Sequence, residues 1–111
     1  MPEEFLSDLG FSRNESKVYF ALLKRGLSNP TKISLAANIH RTNVYDCLER
    51  LIEKGLVNYV YKDGKKYYQA SDPNKLRDIL KERETKFYEI LPKMLKFKET
   101  SSNQELAEIH R

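Results

Sequence analysis

The sequence predicts a mainly α-helical domain with a small β-hairpin (α+β): a winged helix-turn-helix that continues into a long C-terminal dimerisation helix. Three observations predict it. Val44, Cys47, Leu48 and Leu51 fall at i, i+3, i+4 and i+7, one buried helical stripe that follows a short helical segment and a turn. Leu56–Tyr61 and Lys66–Ala70 flank Asp63-Gly64, the strongest short hairpin-turn signal in the chain. From Leu76 onward apolar residues alternate by four and three, the spacing of a coiled-coil seam.

Each element follows from local signals. Residues 2–9 suit a short helix, with Pro2, Glu3 and Glu4 in its first turn, Phe5, Leu6 and Leu9 on its apolar side and Gly10 as a stop. Ser12-Arg13-Asn14-Glu15 matches a capping box, so a second helix starts there and runs to about Arg25. Val18, Tyr19, Ala21 and Leu22 form its apolar face, and Gly26 is placed as its cap. Leu27–Asn29 connect to a third helix that opens on Pro30, with Ile33, Leu35, Ala36 and Ile39 as candidate core. Asn38 supports the turn into the fourth helix, which Lys54-Gly55 closes. Asp72-Pro73 or Pro73-Asn74 marks the start of the last helix. Its seam is Leu76, Leu80, Arg83, Phe87, Ile90, Met94 and Phe97, apolar but for Arg83. Pro92 lies inside it and predicts a kink or break. The organisation expected is a winged helix-turn-helix over 1–72, a dimerisation helix over 73–98 and a mobile tail over 99–111, with at most a short helical segment in that tail.

With 111 residues the chain has room for one domain and an appended element. The formal net charge of +4 is spread along it: residues 1–73 hold 11 basic and 9 acidic side chains, residues 74–111 hold 9 and 7. Any surface for an anionic partner is therefore made by folding. The single cysteine excludes an intrachain disulfide and a cysteine-cluster metal site. His40 and His110 are too separated to build one. No nucleophile–base pair and no phosphate-cradling glycine loop is visible, so an enzyme is not expected, nor a cofactor. No run approaches the roughly 18 apolar residues of a membrane span, and the MPEEF start is not signal-like. A reducing, cytoplasmic setting without membrane partners is the expectation.

Candidate functional residues lie on the fourth helix and the wing. Arg41, Thr42, Asn43, Tyr45 and Asp46 sit opposite the buried stripe, a hydrogen-bonding set at the first turns of a helix, as reading base edges in a major groove requires. Tyr45 suits both packing under the wing and phosphate contact. Arg50 is a further DNA candidate, and Asp46, four residues before it, is placed to orient it. Glu49, Glu53 and Asp46 lie along the outward side with Thr42, so only the first two turns can lie deep in a groove. Lys62, Lys65 and Lys66 cluster at the hairpin tip as phosphate contacts. Tyr59, Tyr61, Tyr67 and Tyr68 invite a base-stacking reading, but alternation turns half of them toward the helices. Cys47 sits on the buried stripe and reads as packing, not as a redox sensor. No lysine or arginine shares its inner face, although Arg50 and Lys54 flank it.

The run LGFSRNESKVYFALLKRG, followed by the turn helix, RTNVYDCLERLIEKGLV, the wing and a long helix, resembles the N-terminal domain of TrmB-type archaeal transcription regulators. The resemblance covers about residues 4–95. It implies a winged helix-turn-helix that binds double-stranded operator DNA as a homodimer; the four-three spacing separately places Leu76, Leu80, Phe87, Ile90, Met94 and Phe97 at the dimer seam. Larger members carry a C-terminal sugar-sensing domain, which this chain is too short to hold, so sugar regulation does not carry over and a small-molecule effector stays unknown. The alternative from another class is a winged-helix protein–protein adaptor in a transcription or chromatin assembly. Such an adaptor has no need of both the Arg41-Thr42-Asn43 set and the wing lysines.

Overall fold

A computed structural model describes residues 2–105. The chain opens with α1 (Pro2–Asp8) and α2 (Arg13–Arg25). The capping box forms in full: Glu15 N–H donates to Ser12 Oγ at 3.1 Å, and Ser12 N–H donates to Glu15 Oε1 at 2.9 Å. α3 (Pro30–Ala37) is capped by Asn29, whose Oδ1 accepts from Lys32 N–H at 2.9 Å. Asn38 ends α3 in the left-handed region at φ 56°, which reverses the chain into α4 (Arg41–Glu53). A hairpin follows, β1 (Val57–Lys62) and β2 (Lys65–Ala70), antiparallel with Tyr59 opposite Tyr68 and Tyr61 opposite Lys66. Asp63 and Gly64 both have positive φ, 53° and 75°, the type I′ geometry that a two-residue hairpin loop needs.

One core joins these pieces. Leu6, Leu9, Phe11, Val18, Tyr19, Leu22 and Ile33 are buried with Val44, Cys47, Leu48 and Leu51 of α4 and with Leu56, Val57 and Tyr68 of the wing. The predicted stripe of α4 is thus buried at all four positions. Each fully buried leucine or valine contributes about 1.5–3 kcal/mol, so this face fixes the helix. The wing is tied down from an unpredicted quarter. Ser28, expected only as part of a connection, pairs with Tyr68 through N–H···O bonds of 2.9 and 2.8 Å. β2 therefore bonds on both sides, and β1 is the free edge.

Several expectations need correction. Phe5 is exposed, because α1 is only seven residues long and Leu6 and Leu9 already supply its inward face. In α3 the core pair is Ile33 and Ala37, four residues apart, while Leu35 lies two residues off that face and is 79% exposed. Ala36 is exposed and Ile39 half-buried. β1 and β2 each differ by one residue from the predicted bounds.

The chain divides into two compact units, Met1–Lys75 and Leu76–Arg111. In the second, α5 (Lys75–Glu105) runs without interruption through Pro92. The proline removes one N–H, whose partner would be the Tyr88 carbonyl. Tyr88 is exposed, so solvent can take up that carbonyl and the helix is not broken. The helix also outlasts Glu99, where the apolar period ends, because helical bonding does not require a seam. The remainder of the tail expected to be mobile lies outside the described residues. Along α5, Leu80, Phe87, Ile90, Met94 and Phe97 are 42–72% exposed, and Leu76 is half-buried. Among the described residues no helix is long and apolar enough to cross a membrane.

Candidate nucleic-acid interface

The site begins with how α4 is entered. The Ser34 hydroxyl donates to the Ile39 carbonyl at 2.6 Å and holds the turn. His40 is the N-cap: its Nδ1 accepts the Thr42 N–H at 3.2 Å, satisfying one of the free donors at the helix start. Sequence reasoning missed both roles. A histidine is an uncommon cap, and the Ser34 contact spans the turn.

With Val44 wholly buried, Arg41, Thr42 and Asn43 are left exposed on the first turn. Arg41 Nη2 donates to the Tyr45 hydroxyl at 3.2 Å, and its guanidinium lies 5.7 Å from that ring's centroid. Tyr45 is half-exposed and so holds an arginine at the front of the helix. Asp46, Glu49 and Glu53 are exposed further along, as the helical projection predicts.

The far end of α4 is fastened to α2. Glu15 is 4% exposed, and its Oε2 lies 3.1 Å from Lys54 Nζ and 3.8 Å from Arg50 Nε. Burial pushes its pKa up, but the Ser12 hydrogen bonds and Lys54 outweigh that and hold the carboxyl below its ordinary range. Lys54 also stands 4.3 Å over the Phe11 ring. Arg50 is therefore turned to Glu15 and not to Asp46, and its Nη2 reaches Cys47 Sγ at 3.7 Å. Arg50, expected only to flank Cys47, thus reaches its thiol. Cys47 is 1% exposed, and burial raises its pKa despite the opposing pull of Arg50.

The wing divides its lysines. From the register, Tyr59, Tyr61, Lys66 and Tyr68 share one face. That face packs on the helices, since Val57 and Tyr68 on it are buried. Lys62 and Lys65 lie on the opposite face, beside the turn. Lys66 Nζ stands 4.4 Å over the Tyr59 ring and 5.8 Å from that of Tyr61. Tyr59 and Tyr68 ring centroids are 5.9 Å apart. Burial raises the pKa of Tyr68, Lys66 opposes this, and Tyr45, Tyr59 and Tyr61 lie close enough to raise it further. The structure thus leaves a group of aromatic-supported cations: Arg41 on Tyr45 at the first turns of α4, and Lys66 on Tyr59 and Tyr61 in the wing. It does not bring Arg50, Lys62 or Lys65 into that group. Tyr59 and Tyr61 were legible as members, because the two-residue turn fixes which residues face each other.

No group of histidine, cysteine or acidic side chains fit to hold a metal occurs among the described residues. Residues 6–74 match the family described as sugar-specific transcriptional regulator TrmB. The chain belongs to the TrmB family. Among its relatives, an uncharacterized protein of Methanocaldococcus jannaschii is 34% identical over 93 residues, 80% of this chain and 78% of that protein. The sugar-sensing regulator TrmBL1 of Pyrococcus furiosus is 36% identical over 70 residues, 60% of this chain but 20% of that protein. A solved structure of TrmBL2, described as an archaeal chromatin protein with a novel mode of DNA binding, superposes with a TM-score of 0.78 at 22% identity. It covers 97% of this chain, which spans 41% of that one. This TrmB-family chain therefore has the winged helix of a family of transcriptional regulators, not of enzymes.

Proposed function

We propose that the chain is a sequence-specific, double-stranded-DNA-binding transcription regulator that acts as a homodimer. One observation carries the reading. Arg41, Thr42 and Asn43 are exposed on the first turn of a helix whose opposite face is locked in the core, next to a wing rich in cations. Arg41 and Asn43 are suited to base edges, while Thr42 and Tyr45 offer hydroxyls to bases or phosphates. The cationic wing supplies backbone attraction. Arg50, spent on Glu15, acts as a positioning residue. The acidic outer row of α4 keeps its second half away from phosphate.

Dimerisation is supported by the apolar stripe on α5, whose Leu80, Phe87, Ile90, Met94 and Phe97 are exposed; contiguous exposed apolar surface marks an interaction site. Two recognition helices related by a two-fold would read half-sites about one helical turn, or a multiple, apart. The same acidic row, Asp46, Glu49 and Glu53, favours a second reading as a protein–protein adaptor. Titrating a labelled mixed-sequence duplex by anisotropy across salt separates the two. A regulator binds with an affinity that falls steeply and linearly on a log–log plot. Absence of binding at low salt selects the adaptor.

A further inference from the structure

The wing carries a residue-level division of labour that charge alone does not reveal. Lys62 and Lys65 face each other beside the turn, on the side away from the helices. Lys66 is on the near side, and its ammonium is held over two rings, 4.4 Å from Tyr59 and 5.8 Å from Tyr61. On the first turn of α4, Arg41 is held in the same fashion, by the ring and hydroxyl of Tyr45. Both cations have an aromatic support and neither has a carboxylate partner among the described residues. They are fixed in place with their charge unspent. Tyr59 and Tyr61 remain 40% and 66% exposed although they lie on the packed face of the hairpin. The hairpin therefore runs beyond the helices and presents this face outward near its tip.

We infer that Lys66, held over Tyr59 and Tyr61, is the wing's seat for a sugar-phosphate strand of duplex DNA, with Arg41 on Tyr45 a second held cation on α4. The inner face of the wing, and not its tip, then supplies the wing's contact. The inference rests on the reading as a DNA-binding regulator and says which wing residues serve it. The chemistry matches a backbone strand: a held cation for a phosphate, phenol hydroxyls as further donors, and ring faces for the adjoining deoxyribose. Held cations lose little side-chain entropy on binding, an advantage that the unsupported tip lysines lack.

The test is a salt titration of the full chain on one labelled duplex, comparing wild type, Lys66→Ala, the double variant Lys62→Ala/Lys65→Ala, and Tyr59→Leu. A general charge effect scales with charges removed, so the double variant would lose more. The seat predicts the reverse. Lys66→Ala lowers the log–log slope by about 0.9, one phosphate contact, and the double variant leaves it within error of wild type. Tyr59→Leu, which keeps the charge and removes its support, weakens binding several-fold while far-UV circular dichroism stays unchanged. A double variant with the larger slope change, or a Lys66→Ala variant with the wild-type slope, overturns the seat and leaves the DNA-binding reading standing. A wild-type chain that does not bind the duplex overturns both.

Discussion

Glu15 joins the start of α2 to the end of α4, and replacing it tests how that helix is held. Glu15→Gln keeps the amide oxygen that accepts from Ser12 N–H but removes the charge facing Lys54 at 3.1 Å and Arg50 at 3.8 Å. A hydrogen bond to a charged group contributes about 1.5–3 kcal/mol. Here the cationic side chains are 41% and 49% exposed and regain water when the carboxylate is lost. That screening brings the expected cost of Glu15→Gln to about 1–2 kcal/mol. Glu15→Ala also loses half of the capping box and should cost about 1 kcal/mol more. The pH dependence follows from the direction of the shift. The folded-state pKa lies below the ordinary value of 4.5, so the unfolded chain binds the proton more readily. The stabilisation is complete above the unfolded value and is lost as pH falls through the folded one. Urea unfolding followed by far-UV circular dichroism at pH 7 and at steps below pH 4.5 reads this out. Wild type should exceed Glu15→Gln at pH 7, and the gap should close as acid protonates the wild-type carboxyl. A gap that persists unchanged in acid, or no gap at pH 7, would refute the reasoning.

Three further outcomes are expected. Phe87→Asp with Ile90→Asp should yield a monomer whose winged unit stays folded, read by sedimentation; a wild-type chain that sediments as a monomer at tens of micromolar removes the dimer proposal. Cys47→Ala should cost roughly 1 kcal/mol, and DNA binding should survive both that change and mild peroxide, since the thiol is buried. Peroxide-induced loss of binding in wild type that is absent in Cys47→Ala would make the residue a sensor instead. Tyr19 carries a buried hydroxyl with no hydrogen-bond partner among the described residues. Tyr19→Phe should therefore leave stability unchanged or raise it by about 1 kcal/mol in urea unfolding, whereas a loss of similar size would mean that the hydroxyl is satisfied in solution.

What was legible in the sequence was what local chemistry decides. The capping box at Ser12–Glu15, the Asp63-Gly64 turn and the i, i+3, i+4, i+7 stripe of α4 each specify a backbone geometry within a few residues, and each is present. The NESKVYFALL and VYDCLERLIEKGLV runs likewise pointed to the right family. What was not legible depended on neighbours distant in sequence. Helical spacing pairs Arg50 with Asp46, yet Arg50 turns to Glu15, a buried carboxylate 35 positions earlier that it shares with Lys54. Leu35 looked like core by type alone, but an eight-residue helix has one inward face, and Ile33 and Ala37 occupy it. Ser28 gave no strand signal because it makes only an isolated bridge. The lysines of the wing were grouped by proximity in sequence, although the register that splits them was already fixed by the turn.

The central claim is that the first turn of α4 reads base sequence. The direct measurement is selection of bound duplexes from a randomised pool, followed by affinity for the enriched site relative to a scrambled one. The account predicts an enriched two-fold motif. It also predicts that Arg41→Ala and Asn43→Ala each lower the selected-to-scrambled ratio by about 1–3 kcal/mol. A pool that shows no enrichment, or a ratio that neither substitution changes, would contradict it.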